Sequence, residues 1–296
     1  MMTSLQSLRR LAWLATGLWS WRLAAALIVA APWVDLARAS GAAAHADGDA
    51  ALFSSGGLVL LDVLHRAEPG LRAAAWTTAA AFALLSLAGA LPLAAVLAAL
   101  ATRSRRGAFA WLAEGTAAFP RQIAITAGAG VGRALLALAA AWAAVTVGAS
   151  FATPDERHAD LGRVAILALG FAGGAGVGVV ADCARVVSLR DGLGPVAATR
   201  RSLGALRAGA WWVVRAWSWR AGVTAALSVA ALVAVARVDV SRPEPWRPAA
   251  AWLAGQLCLW AIAALRVSWF ARLFELTAPE PPAGGSPQAA SPAADW

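Results

Sequence analysis

Six stretches of this chain are apolar for long enough to cross a bilayer, and the polar residues collect between them. A helix needs about 20 mostly apolar residues to traverse the hydrocarbon core. The pattern predicts spans near 18–36, 73–101, 123–150, 164–182, 220–236 and 248–270. Arg22 in the first can snorkel toward the nearer interface. The second is long enough to tilt or run past the interface, and Pro92 breaks its middle. The third carries Arg133, so its first turns are expected in the interface. The fold class that follows is all-α: a bundle of six transmembrane helices over residues 1–276, then a Pro- and Ala-rich tail, 277–296, expected to be disordered in the cytoplasm.

Three shorter segments are apolar on one side only. "GGLVLLDVLHR" is too short to span and too apolar for water, which predicts an interfacial or re-entrant helix. Before the third span, Phe109, Leu112, Thr116 and Phe119 recur at helical spacing and give a face that can enter the interface. Before the fifth, Pro195 suits the first turn of a helix with a weak stripe of Val196, Thr199, Leu203, Leu206 and Ala210. Arg200, Arg201 and Arg207 lie off that stripe. With Arg190 they are placed to meet anionic headgroups of the inner leaflet, each contributing about 1 kcal/mol, or simply to retain topology.

Charge sets the orientation. Arg9, Arg10, Arg103, Arg105, Arg106, Arg121, Arg185, Arg190, Arg200, Arg201, Arg207, Arg215, Arg220 and Arg272 fall on one side of the six spans. The other side has fewer Arg and most of the Asp and Glu. The positive-inside rule puts both termini in the cytoplasm of a bacterial inner membrane. Trp residues cluster at the span ends as an interfacial belt, while Trp142 and Trp260 lie deeper and are expected to pack between helices. A competing feature is "LARAS", which places Ala37-Arg38-Ala39 where a signal peptidase could cut. The charged, Trp-rich start through Arg22 is long for a signal peptide, so the first span is expected to be retained.

Composition agrees with the membrane class. The 296-residue chain is 60% hydrophobic with mean hydropathy +0.64, against about 45–50% apolar for soluble domains. Its net charge is +9, but no basic domain remains once the spans are removed, which argues against nucleic acid as a partner. All of the basic residues are Arg, and Lys, Asn and Tyr are absent. That is the signature of a GC-rich bacterial genome, so Ala richness and Arg over Lys say little about packing or chemistry.

The candidate chemistry centres on "GFAGGAGVGVVADCARVVSLRDG", residues 170–192. Gly176 to Ala181 fits a G-x-G-x-x-A dinucleotide fingerprint, which needs a preceding strand that membrane-length apolar flanks do not supply. Cys183 as a nucleophile needs a base, and His45, His65 and His158 all fall on the far side, about 30 Å away. Asp182 and Asp191 do not make the paired intramembrane acids of an aspartyl protease. Asp62, His65 and Glu68 lack a metal-ligand spacing. No enzyme activity, cofactor or metal is expected. Gly170, Gly174 and Gly178 share one helix face, and Gly128 and Gly132 form a second. Small faces of this kind let helix backbones approach, so Gly174→Leu is expected to destabilise the bundle. Asp182 and Arg185, three residues apart, can pair as a boundary salt bridge or form a polar pocket.

At "ADCARVVSLRDGLGPVAATRRSLGALR" the chain resembles an uncharacterised family of bacterial polytopic inner-membrane proteins. Asp182, Ala184, Arg185 and Val186 match the family's Asp-Tyr-Ala-Arg-Val motif, with Cys183 in place of Tyr, and Arg190 and Asp191 match the turn that follows. It also looks broadly like the membrane region that precedes some glycerophosphodiester phosphodiesterase domains, without the catalytic domain. The resemblance implies an architecture and supplies no activity. The reading is a non-enzymatic membrane component that binds anionic lipid headgroups, a membrane-protein partner or its own copies. The alternative is a small transporter or permease subunit. The few polar residues within the spans (Arg133, Gln256, Thr126, Thr146, Thr224, Ser228) argue against an ion-coupled carrier.

Overall fold

A computed structural model describes residues 4–39, 58–102, 107–150, 156–237 and 246–277. Those residues form seven α-helices: α1 (Ser4–Ala39), α2 (Leu58–Ala88), α3 (Ala90–Ala101), α4 (Ala108–Ser150), α5 (Glu156–Asp191), α6 (Pro195–Arg237) and α7 (Trp246–Leu276). No strand occurs among the described residues. Six spans are long and apolar enough to cross a membrane, α2 and α3 together making one of them, Ala67–Ala101. The break between α2 and α3 falls at Gly89, three residues before Pro92. Pro92 thereby sits in the first turn of α3, where a missing N–H costs no intrahelical bond.

The segments expected to lie along the interface are instead the first turns of spanning helices. α2 begins at Leu58 and runs on through its span, α4 is continuous across Pro120, and α6 contains both its basic half and its span. α6 bends at Gly209 (φ −124°, ψ 24°). The side chain of Asp62, His45 and the tail from residue 278 lie outside the described residues.

The bundle has one tightly packed end. There α1 begins, α3 ends, α5 hands over to α6 through Gly192 at φ 68°, and α7 ends. Arg10 of α1 donates to the carbonyls of Ala99 and Thr102 (2.6 Å to the latter), capping α3. Arg190 at the end of α5 donates to the Thr277 carbonyl after α7. This is the arginine-rich end. Ala181–Ser188 of α5 are buried all round. They pack with Leu97 of α3 and Val213 of α6, and with Trp269, Phe270 and Leu273 of α7. Ile125 of α4 and Ala198 of α6 close the other side. A third cluster, Leu14, Ala15, Leu18, Val96, Ala99 and Val267, joins α1, α3 and α7.

Toward the other end the helices turn large apolar side chains outward, among them Leu27, Phe82, Leu138, Leu169 and Leu232. In lipid such exposure is not penalised, because the solvent is as apolar as the side chain. Trp142 belongs to this surface at 72% exposure, contrary to the packing role expected for it. Trp260 does pack inside, donating to Thr16 Oγ1 at 3.0 Å.

Candidate functional site

The buried part of α5 carries a carboxylate and a guanidinium into the core. Asp182 is 1% exposed and Arg185 8%, one turn apart on the same face. Arg185 Nη1 donates to Asp182 Oδ1 at 2.8 Å. α7 contributes Arg266 and Trp269, also three apart: Arg266 Nη2 donates to the same Oδ1 at 2.6 Å, and Trp269 Nε1 to Oδ2 at 3.0 Å. α4 completes the ring. Thr126 Oγ1 accepts from Arg185 Nη2 at 3.1 Å, and Gln122 Nε2 donates to the Arg185 carbonyl at 3.2 Å. The expected Asp182–Arg185 salt bridge is present, and it is the middle of a three-helix network. A buried carboxylate is tolerable only when charge and hydrogen bonds compensate it, and here both do. Two buried atoms of the ring have no partner, Gln122 Oε1 and Arg185 Nε.

Above this network, away from the arginine-rich end, lies a cavity of about 660 Å³ between α1, α2 and α3 on one side and α4, α5 and α7 on the other. Arg22, Arg133, Arg185 and Arg266 all line it, and no Asp or Glu does. Arg133 Nε donates to the Gly174 carbonyl at 3.2 Å, and Arg22 has no hydrogen-bond or carboxylate partner among the described residues. Arg266 lies close enough to repel both Arg22 and Arg185. Its guanidinium also stands 4.7 Å from the Phe270 ring centroid. Asp182 is the single carboxylate paired to this group, so positive charge is in excess.

The other expected residues divide. Arg190 is half-buried, bonded to both Asp191 oxygens and to Thr277, so it ties helix ends together. Arg201 reaches Asp191 at 3.3 Å, while Arg200 and Arg207 are exposed. Of the glycines, Gly170 meets Ala140 of α4 closely, a Cβ there lying 2.5 Å from the Ala140 Cβ, and Gly132 stands near Val177. Gly128 and Gly174 differ from the expected close face, because a Cβ at either would meet nothing within 4 Å. Gly178 faces a side chain, that of Arg133.

Cys183 is fully buried. His65 and His158 are exposed, and His158 is 25 residues earlier on α5, roughly 37 Å along the helix. The Gly176–Ala181 fingerprint lies mid-helix in α5, with helix instead of strand before it. Among the described residues no three His, Cys, Asp or Glu side chains gather as metal ligands. Of the polar residues within the spans, Gln256 accepts from Trp19 at 3.1 Å, and Thr146 and Ser228 bond to their own helix.

Sequence reasoning missed Arg266 and Gln122 and read Trp269 as belt. The available signal was a lone Arg inside the sixth apolar run, since an intramembrane ion marks a site by default. The six spans and the buried ion network define a multi-pass helical membrane protein. No family model, no curated protein and no solved structure matches the chain.

Proposed function

We propose that this protein is a non-enzymatic component of a bacterial inner membrane that binds an anionic ligand in the arginine cavity, with its arginine-rich end in the cytoplasm. One observation carries the reading: four guanidiniums line one cavity within the spans, and one carboxylate is paired among them. An Arg at bilayer depth costs about 2.5–3.5 kcal/mol on insertion scales, and guanidinium does not deprotonate in proteins. An excess of such groups is stabilised by an anion, and the planar fork suits carboxylate or phosphate oxygens. Binding is favoured over catalysis because Cys183 is sealed in the core and the described His residues stand far from the cluster. The exposed Arg200 and Arg207 fit contact with acidic headgroups at the surface.

A second reading, a permease for a small anion, draws on the helix break at Gly89, which borders the same cavity. The two share a first test. Purified protein is expected to gain thermal stability from at least one anion among inorganic phosphate, glycerol phosphate and acidic phospholipids. Saturation at a hundredfold above Kd corresponds to about 2.7 kcal/mol. The gain should vanish in the Arg22→Gln/Arg133→Gln double variant. If no anion stabilises the wild type, the reading fails. Orientation is tested separately: reporter fusions near residues 107, 195 and 285 are expected to report the cytoplasm, and those near 156 and 244 the opposite side. Fusions at 195 and 244 reporting one side would overturn the scheme.

A further inference from the structure

We infer that the ligand of this cavity is an acidic phospholipid that enters sideways from the bilayer, its phosphate held by Arg22 and Arg133 and its chains laid along α1 and α2. The inference rests on the anion-binding reading and adds the ligand's class and route.

The cavity has two chemically different walls. α4, α5 and α7 present Arg133, Arg185 and Arg266, whereas α1 and α2 present mainly apolar side chains, Val29, Phe82 and Leu85 among them, beside Arg22. Phe82 lines the cavity and is also 65% exposed on the outer surface of the bundle. The apolar wall is therefore continuous with the lipid-facing surface. Arg133 stands at the opposite lip. It is exposed, and Val131 and Leu135 beside it face outward at 60% and 61% exposure. A molecule spanning these lips has an anionic part and a hydrocarbon part.

Access from the arginine-rich end is closed by packing. Leu14, Leu18, Val96, Ala99 and Val267 form an apolar cluster on that side of the cavity, Leu14 and Leu18 one to two turns beyond Arg22, Val96 and Ala99 one to two turns beyond Leu93, and Val267 next to Arg266. A free anion from the water at that end would have to cross this apolar layer without its hydration shell. A lipid moving in the membrane plane meets no such layer.

Arg185 and Arg266 are committed to Asp182. Arg22 and Arg133 are the two without a carboxylate, and they come from different helices, so one phosphodiester between them can accept hydrogen bonds from both while its single negative charge offsets part of their excess. Gly178 positions one of them. A Cβ at 178 would lie 2.2 Å from Arg133 Nη2, so the guanidinium lies against α5 in the space left by the missing side chain. Gly178 is a positioning residue: Gly178→Ala would displace only the flexible end of Arg133 and leave the helix contacts in place.

The test uses the full chain, purified in detergent and returned to nanodiscs, with native mass spectrometry and thermal melting as readouts. Probes are phosphatidylglycerol, the zwitterionic phosphatidylcholine and the soluble glycerol phosphate. Phosphatidylglycerol is expected to be retained and to raise the melting temperature, and phosphatidylcholine to do neither. Glycerol phosphate should bind at least about tenfold more weakly than the lipid, a difference of about 1.4 kcal/mol. Arg22→Gln/Arg133→Gln and Gly178→Ala should each lose lipid affinity by about tenfold or more, with the lipid-free melting of Gly178→Ala held or slightly raised. Glycerol phosphate binding as tightly as phosphatidylglycerol would overturn the lipid inference and leave the anion reading standing. Equal retention of phosphatidylcholine would overturn the headgroup assignment. Binding of neither lipid nor soluble phosphate would overturn both, and full lipid affinity in Gly178→Ala would overturn the role given to Arg133.

Discussion

Replacing Asp182 by alanine is expected to destabilise the protein by about 3–5 kcal/mol, the cost of removing one partner from a buried ion pair. The side chain is 1% exposed and accepts three hydrogen bonds from two helices. Its loss leaves the Arg185 guanidinium, itself 8% exposed, with Thr126 alone as a side-chain acceptor. It also strands the Trp269 indole N–H and removes the negative charge between two guanidiniums that already repel each other. Asp182→Asn keeps an acceptor for the indole but not the charge, so its loss should be smaller. Arg185→Met in the Asp182→Ala background should recover part of the stability, because the more deeply buried of the two orphaned charges is then gone while Arg266 remains. Thermal melting in detergent of the four variants of this cycle measures the coupling. Asp182→Ala melting like the wild type would mean that the network contributes nothing.

Gly115→Ala and Gly174→Ala are expected to change stability in opposite directions. Gly115 lies where α4 crosses α3. A Cβ there would stand 2.8 Å from the Ala95 nitrogen and 3.0 Å from its Cα. These are backbone atoms and cannot rotate aside, so the helices must separate. Overpacking of this kind costs about 1–3 kcal/mol, and the better helix propensity of alanine returns at most about 1 kcal/mol. Gly115→Ala should lower the melting temperature, and a larger side chain should lower it further. Gly174 has nothing within 4 Å of such a Cβ, so only the propensity gain remains and the melting temperature should hold or rise. The reverse order of the two variants would show that the α3–α4 crossing is looser than its geometry indicates.

These glycines show how far the sequence could be read. Spacing identified a glycine face on the fourth span, and Gly170 does meet a neighbouring helix closely. Gly174, on the same face, meets open space. A single helix specifies which residues share a face, but not how far along that face a partner stays in contact. Among the described glycines, the closest approach to another helix's backbone is at Gly115, in a segment whose outward pattern suggested an interfacial helix. That segment and the basic one after Pro195 read alike in both settings, because an amphipathic face can bury against lipid headgroups or against another helix. Here Gly115, Ala118 and Gln122 are buried, and the helix continues.

The candidate site was legible at one point and hidden at the rest. Asp182 and Arg185 are three residues apart, so their pairing follows from helix geometry. Arg266 lies 84 residues from the carboxylate it contacts, and its place near the end of an apolar run is also where boundary arginines sit. Arg22 and Arg133 looked like isolated charges at span ends, one able to snorkel and one in the interface. Only their convergence makes a cavity with excess positive charge.

What the sequence by itself determined is the set of six spans. In hydrocarbon every backbone N–H and C=O must be satisfied within its own segment, so an apolar run of sufficient length commits to a helix whatever its neighbours do. Which charges meet was decided by the tertiary structure. The rotation and depth of each helix against the others bring Arg22, Arg133, Arg185 and Arg266 to one cavity and leave a single carboxylate among them. Rotation and depth follow from contacts between residues far apart in the chain, and no local pattern of hydrophobic and polar positions encodes them.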